Sequence, residues 1–324
     1  MEARKVIQEL ISEEIRESCL KDADKSLREE RHISAEVTKL TNTVASTLQQ
    51  AIRQTKSVQY DEPNVTVKRG QFVVVVDGIR LHVIWEFYNN LNPMEYKPKV
   101  RNKAFVKRDT LQIFLRFVGS NGTVDKAFLY QTVQHEMCHF YELLKRDKKP
   151  FEKSYDLYKL ASTMLAAHRT HQELALAYII SCSRNFEIRA YGNGAYQYMM
   201  QCGDYEDRFE GSMRKTLLYQ NYECLKWAED ILNRTQPNSE EMKEALQPYE
   251  ALGYSYGDFI KDLKYALNSS IKLLGVVRSK AIDDFKERYG IMEDVFISHA
   301  ERLEEMGDNK KAIIDINEKY GLIL

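Results

Sequence analysis

Two histidines four positions apart lie inside a stretch whose apolar residues recur at helical spacing, and this pairing constrains the local fold more than any other feature of the chain. Leu129, Val133, Met137, Phe140 and Leu144 form a single stripe, which predicts an amphipathic helix over about 124–146 that ends before Lys148-Lys149-Pro150. On a helix, residues four apart sit one turn apart on the same face. His135 and His139 can therefore aim their imidazoles at one point, with Glu136 beside it.

The stretch before this helix has a different rhythm. Asn64–Lys68, Gln71–Val76, Ile79–Phe87 and Ala104–Val118 are rich in Val, Ile, Phe and Thr, and Asp77-Gly78 separates two of these runs as a tight hairpin turn would. A sheet of three or four strands is expected here. Upstream, residues 4–20 and roughly 34–56 carry helical spacing, as in Val37, Leu40, Val44, Leu48 and Ile52. Downstream of Gly119-Ser120-Asn121-Gly122 the chain reads as helical almost to its end. Thr170-His171-Gln172-Glu173 fits a capping box, and one helix is expected from there through Ile180 and Glu187 toward Tyr191. The expected class is α+β, mostly helical with a small antiparallel or mixed sheet before the His135–His139 helix. The expected organisation is an N-terminal helical region (1–58), a central domain (59–203) and a C-terminal helical region (204–324).

Composition narrows the partners. A formal charge of −1 over 324 residues gives no strong overall field toward nucleic acid or anionic membrane. The first twenty residues are charged and amphipathic, and no segment has the ~18 uncharged apolar residues of a membrane span. The five cysteines are scattered without a CxxC pair, which suits a reducing compartment. A cytoplasmic protein without a membrane partner is expected. Lys97, Lys99, Arg101 and Lys103 alternate at strand spacing, followed by Lys107 and Arg108. Nucleic acid contact and a lysine-protected edge strand both fit that pattern, and the balanced total charge favours the edge.

His135-Glu136-Met137-Cys138-His139 is an HExxH motif. Two imidazoles one turn apart supply two ligands of a zinc ion, and the intervening glutamate stands where a general base would. Cys138 points about a hundred degrees from His139 and reads as a small buried residue. A third ligand has to come from downstream. Glu187 is one choice, His168 and His171 are rivals, and Glu173 is a weaker one. No histidine stands at the spacing of HExxHxxGxxH, where position 145 is Lys145, so the metzincin pattern is excluded.

Asn185-Phe186-Glu187-Ile188-Arg189-Ala190-Tyr191 resembles the glutamate helix of gluzincins, Glu-x-x-Ala-Tyr/Phe. That resemblance implies a zinc-dependent metallopeptidase in which His135, His139 and Glu187 hold zinc and Glu136 is the base. Gln134-His135-Glu136-Met137-Cys138-His139 after a short sheet is also similar to the SprT-like proteases, whose motif is often written HEMCH. Their third histidine has no counterpart in Lys148-Lys149-Pro150-Phe151, so their ligand set does not carry over. A zinc peptidase further needs a donor for the oxyanion. Tyr191, one turn beyond Glu187, is the expected donor among Tyr191, Tyr196 and Tyr198. The expected substrate is a protein or peptide, which a sheet edge could pair with. The alternatives are an inactive zincin-like interaction protein and a DNA-associated SprT-like protease.

Overall fold

Alternation of side chains along Val- and Phe-rich segments builds a sheet with one face turned to helices. The computed structural model describes residues 35–92, 101–107, 112–145, 152–167, 170–202 and 207–289. The sheet has five strands: β1 (Val58–Gln59), β2 (Val65–Val76), β3 (Ile79–Asn90), β4 (Lys103–Lys107) and β5 (Gln112–Ser120), in the order β1-β2-β3-β5-β4. β3 and β5 are parallel and the other pairs antiparallel. The expected hairpin is present. Val76 pairs with Ile79 across Asp77 (φ 50°) and Gly78 (φ 80°), the two positive φ values that a two-residue turn matched to strand twist requires.

Two expectations about the strands change. The segments either side of Arg69-Gly70 are one continuous strand, because Gly70 lies over Trp85, where a Cβ would come within 2.9 Å of the indole. Ala104–Val118 is two strands rather than one, with β5 inserted between β3 and β4. That insertion depends on pairing between distant residues, to which local patterning is blind.

Residues 35–54 form helix α1, and Val37, Leu40, Val44, Leu48 and Ile52 are all buried as their spacing implies. They share a core with the inner sheet face (Leu81, Val83, Trp85, Phe87, Ile113, Leu115, Phe117) and with helix α2 (Lys126–Lys145). Each such side chain taken from water contributes about 1.5–3 kcal/mol. Lys68 Nζ donates to the carbonyl of Ile52 at 2.6 Å, satisfying a free carbonyl near the end of α1. Of the expected α2 stripe, Leu129, Val133, Met137 and Phe140 are fully buried, while Leu144 is 40% exposed as the helix runs past the sheet.

The remainder is helical: α3 (Glu152–Ala167), α4 (His171–Cys182), α5 (Asn185–Cys202), α6 (Asp207–Lys215), α7 (Leu217–Arg234), α8 (Glu240–Glu250) and α9 (Tyr256–Tyr289). The Thr170 capping box is formed on both sides. The helix it starts ends at Cys182, however, and Glu187 belongs to the first turn of the next one. Asp262 of α9 explains the break. Its Oδ2 accepts from Ser183 Oγ at 3.3 Å and from the Tyr254 hydroxyl, and it pairs with Arg184 at 3.7 Å. Among the described residues, no helix is long and apolar enough to cross a membrane, and no disulfide joins Cys138, Cys182, Cys202 and Cys224. The expected first helix, Lys97, Lys99, Arg108 and His168 lie outside the described residues.

Candidate metal centre

Helices α2 and α5 run antiparallel at close range, which brings the site together. Gly194 lies against Gln131, where a Cβ would stand 2.9 Å from the Gln131 carbonyl oxygen, and Ala195 and Met199 pack with Ala127 further back along α2. The same geometry one turn or two earlier on α5 sets Glu187 opposite His135 and His139. Gly192 serves the other side of α5, since a Cβ there would meet Leu273 of α9 at 2.4 Å.

Three side-chain atoms converge. His135 Nε2 is 3.2 Å and His139 Nε2 3.3 Å from the same Glu187 oxygen, Oε2, and the two nitrogens are 3.0 Å apart. Corners of a tetrahedron with bonds of about 2.0 Å to its centre lie about 3.3 Å apart, so this triangle has the size of one face of a tetrahedral cation site. His135 and Glu187 are buried and His139 is partly so. These three form a buried cluster that could hold a metal ion, and no other such group occurs among the described residues.

The electrostatics agree with that donor set. Glu187 is 4% exposed, and burial alone would push its carboxyl up. The nearby His139 and His135 imidazoles outweigh burial and hold it well below the usual carboxylate range. Glu136, also buried, moves the opposite way. Burial raises its carboxyl above the ordinary value, Glu187 adds to the rise, and the two histidines only partly offset it. The two buried carboxyls are thus shifted in opposite directions, Glu187 down by the imidazoles and Glu136 up by burial.

The tyrosines divide differently from expectation. The Tyr191 ring packs on His135, with centroids 4.4 Å apart and planes at 41°. Its hydroxyl is approached by the Asn221 amide of α7, without full hydrogen-bond geometry. What Tyr191 presents to the cluster is a ring that fixes an imidazole. Tyr196 reaches Asp284, and Tyr198 is buried near Cys202 and Met199 in another core. Tyr158 of α3 escaped the sequence reading. Its hydroxyl donates to Glu187, and burial together with that carboxylate pushes the phenol up. No local motif marks Tyr158; only the packing of α3 beside α4 and the site identifies it.

Two of the rival ligands, His171 and Glu173, are engaged elsewhere. His171 is exposed at the start of α4 with its ring edge-on to Trp227 at 5.9 Å, and the Glu173 carboxylate accepts from the Thr170 backbone at 3.1 Å. Cys138 is partly buried against the core between sheet and α2 and is not one of the converging donors. His135 Nδ1 is buried without a hydrogen-bond partner among the described residues. No family model, curated protein or solved structure matches this chain, so a functional reading rests on the site.

Proposed function

We propose that the chain is a zinc-dependent metallopeptidase that hydrolyses peptide bonds in a protein or peptide substrate. The observation that carries the reading is the triangle of His135 Nε2, His139 Nε2 and Glu187 Oε2, with sides of 3.0–3.3 Å, next to a buried Glu136. Two nitrogens and one carboxylate oxygen at tetrahedral spacing suit zinc, and three protein ligands leave a fourth position open. Bound there, zinc would supply Lewis acidity, polarising the scissile carbonyl and acidifying water.

The chain's own residues do the rest. Glu136 takes a proton at its carboxylate and returns it to the departing amine, a task suited to a carboxyl raised by burial. Tyr158 holds Glu187 by donating to it, and Tyr191 fixes the His135 ring. Tyr158 gives its one hydroxyl proton to Glu187, so its part is to position that carboxylate. β4, an edge of the sheet beside α2, offers backbone groups for pairing with an extended substrate. The cysteines, joined by no disulfide among the described residues, fit the cytosol.

The decisive variant is Glu136→Gln. It should retain stoichiometric zinc by elemental analysis while chelator-sensitive cleavage of a peptide library disappears. Undiminished cleavage would overturn the assignment of the base, and zinc without cleavage in the unaltered chain would leave a metal-bearing interaction protein.

A further inference from the structure

The sheet has a second face that the metal centre does not use. Leu81, Val83, Trp85 and Phe87 point to the helices, so the even-numbered residues of β3 point away, as do their partners on β2, β4 and β5. No described helix covers that outer face, where Val73 and Val75 are 47% and 67% exposed.

Its composition is ordered in rows. Arg69, Glu86, Arg116 and Lys103 lie side by side across the four strands, next to the row Gln71, Ile84, Phe114 and Phe105. Within the strands, Arg69, Arg80, Lys103, Lys107 and Arg116 stand on this face against one carboxylate, Glu86. The chain as a whole carries a formal charge of −1, whereas the strand residues of this face carry five basic groups against one acidic one. Glu86 is bracketed by Arg69 at 3.2 Å and Arg116 at 2.6 Å, which holds the Arg116 guanidinium 5.5 Å from both the Phe114 and Tyr88 ring centroids. Phe105 and Phe114 stack with centroids 5.1 Å apart and planes at 28°, and Lys103 Nζ lies 5.3 Å over Phe105.

We propose that this outer face binds single-stranded nucleic acid, bases stacking on the partly exposed Phe105–Phe114 pair and phosphates meeting Lys103, Lys107 and Arg116. Charge complementarity selects a polyanion, and rings interleaved with cations on an open sheet select one whose bases are free to stack rather than a duplex. The inference does not depend on the peptidase reading: it uses outward side chains across the sheet from α2, whereas that reading uses the metal-site helices and only the backbone edge of β4.

The test uses the full chain and fluorescent 20-nucleotide oligouridylate and oligothymidylate, with a DNA hairpin duplex and a poly-glutamate peptide as competitors. Both single strands should bind at 50 mM salt, and three phosphate contacts should weaken binding about 20-fold by 200 mM. Preference for oligouridylate or oligothymidylate identifies RNA or DNA as the ligand. Lys103→Glu with Lys107→Glu should lower the salt slope by about 1.4. Phe105→Ala should cost about 5- to 150-fold with the slope unchanged. Both variants should keep the unaltered chain's zinc content and melting temperature; if Phe105→Ala melts early, the lysine pair carries the test. Failure to bind at 50 mM salt, equal competition by the duplex, stronger competition by poly-glutamate, or binding unmoved by the lysine pair would each overturn the proposal.

Discussion

Substituting Gly194 by Ala tests whether the close approach of α5 to α2 builds the metal centre. In an ordinary helix interior this change is stabilising by about 0.5–1 kcal/mol, because glycine gives up more backbone freedom on folding than alanine. At Gly194 the new Cβ would stand 2.9 Å from the Gln131 carbonyl oxygen and 3.3 Å from its Cγ. An ordinary contact needs about 3.4 Å, and a backbone oxygen inside α2 cannot rotate aside, so the helices must part by roughly 0.5 Å at a cost of about 1–3 kcal/mol. The net expectation is a loss of up to about 2 kcal/mol. The larger effect is on the metal, since parting α5 from α2 draws Glu187 Oε2 from nitrogens now 3.2 and 3.3 Å away. Gly275 is the control: it lies in α9 with nothing within 4 Å of its would-be Cβ. Denaturant melts and zinc competition against a chromophoric chelator should show Gly275→Ala stabilised with zinc affinity unchanged, and Gly194→Ala destabilised with weaker zinc binding. A Gly194→Ala protein as stabilised as the control, with undiminished zinc affinity, would refute the argument.

Three further outcomes follow from the same geometry. Glu187→Gln keeps the volume but loses the anionic donor, so zinc affinity should fall by more than the ~100-fold typical of a lost outer-shell partner; unchanged affinity in a competition titration would move the third ligand elsewhere. Tyr158→Phe removes the hydroxyl donated to Glu187 and should weaken zinc about 10- to 100-fold while apo stability shifts by less than about 1.5 kcal/mol; a purely structural tyrosine would show the reverse. Because zinc would tie α2 to α5, zinc at a thousand times its dissociation constant should stabilise the chain by about 4 kcal/mol, read as a lowered melting temperature after chelation; an unmoved melt would contradict the ligand set.

What the sequence disclosed is what short-range chemistry decides. Asp77-Gly78 announced its turn because few dipeptides accept two positive φ values, and Thr170 with Glu173 announced a helix start because their reciprocal hydrogen bonds span only three residues. The spacing of His135 and His139 likewise implied their convergence. Glu187 was legible as the third member of the cluster by its resemblance to a motif, though its place in a helix was not. Tyr158 and the outer sheet face stayed hidden for the opposite reason. The former reaches Glu187 only through the packing of three helices, and the latter exists only once β5 has slipped between β3 and β4 and set Phe114 beside Phe105.

The break between α4 and α5 shows how the two scales meet. Ser183-Arg184 contains neither glycine nor proline, and a helix running on from Cys182 would carry residue 187 along the α4 axis. Asp262, from a helix that starts more than seventy positions later, draws Ser183 and Arg184 out of that line through one oxygen shared with Tyr254. Buried or half-buried polar groups of this kind are costly when unpaired, so the three contacts favour the same turn of the chain. Once they are made, the chain restarts at Asn185 in a new direction, and the two glycines on α5 allow it to settle between α2 and α9. The position of the third donor is therefore a property of the helical C-terminal half, and the histidine pair cannot assemble a three-atom cluster until that half has folded against it.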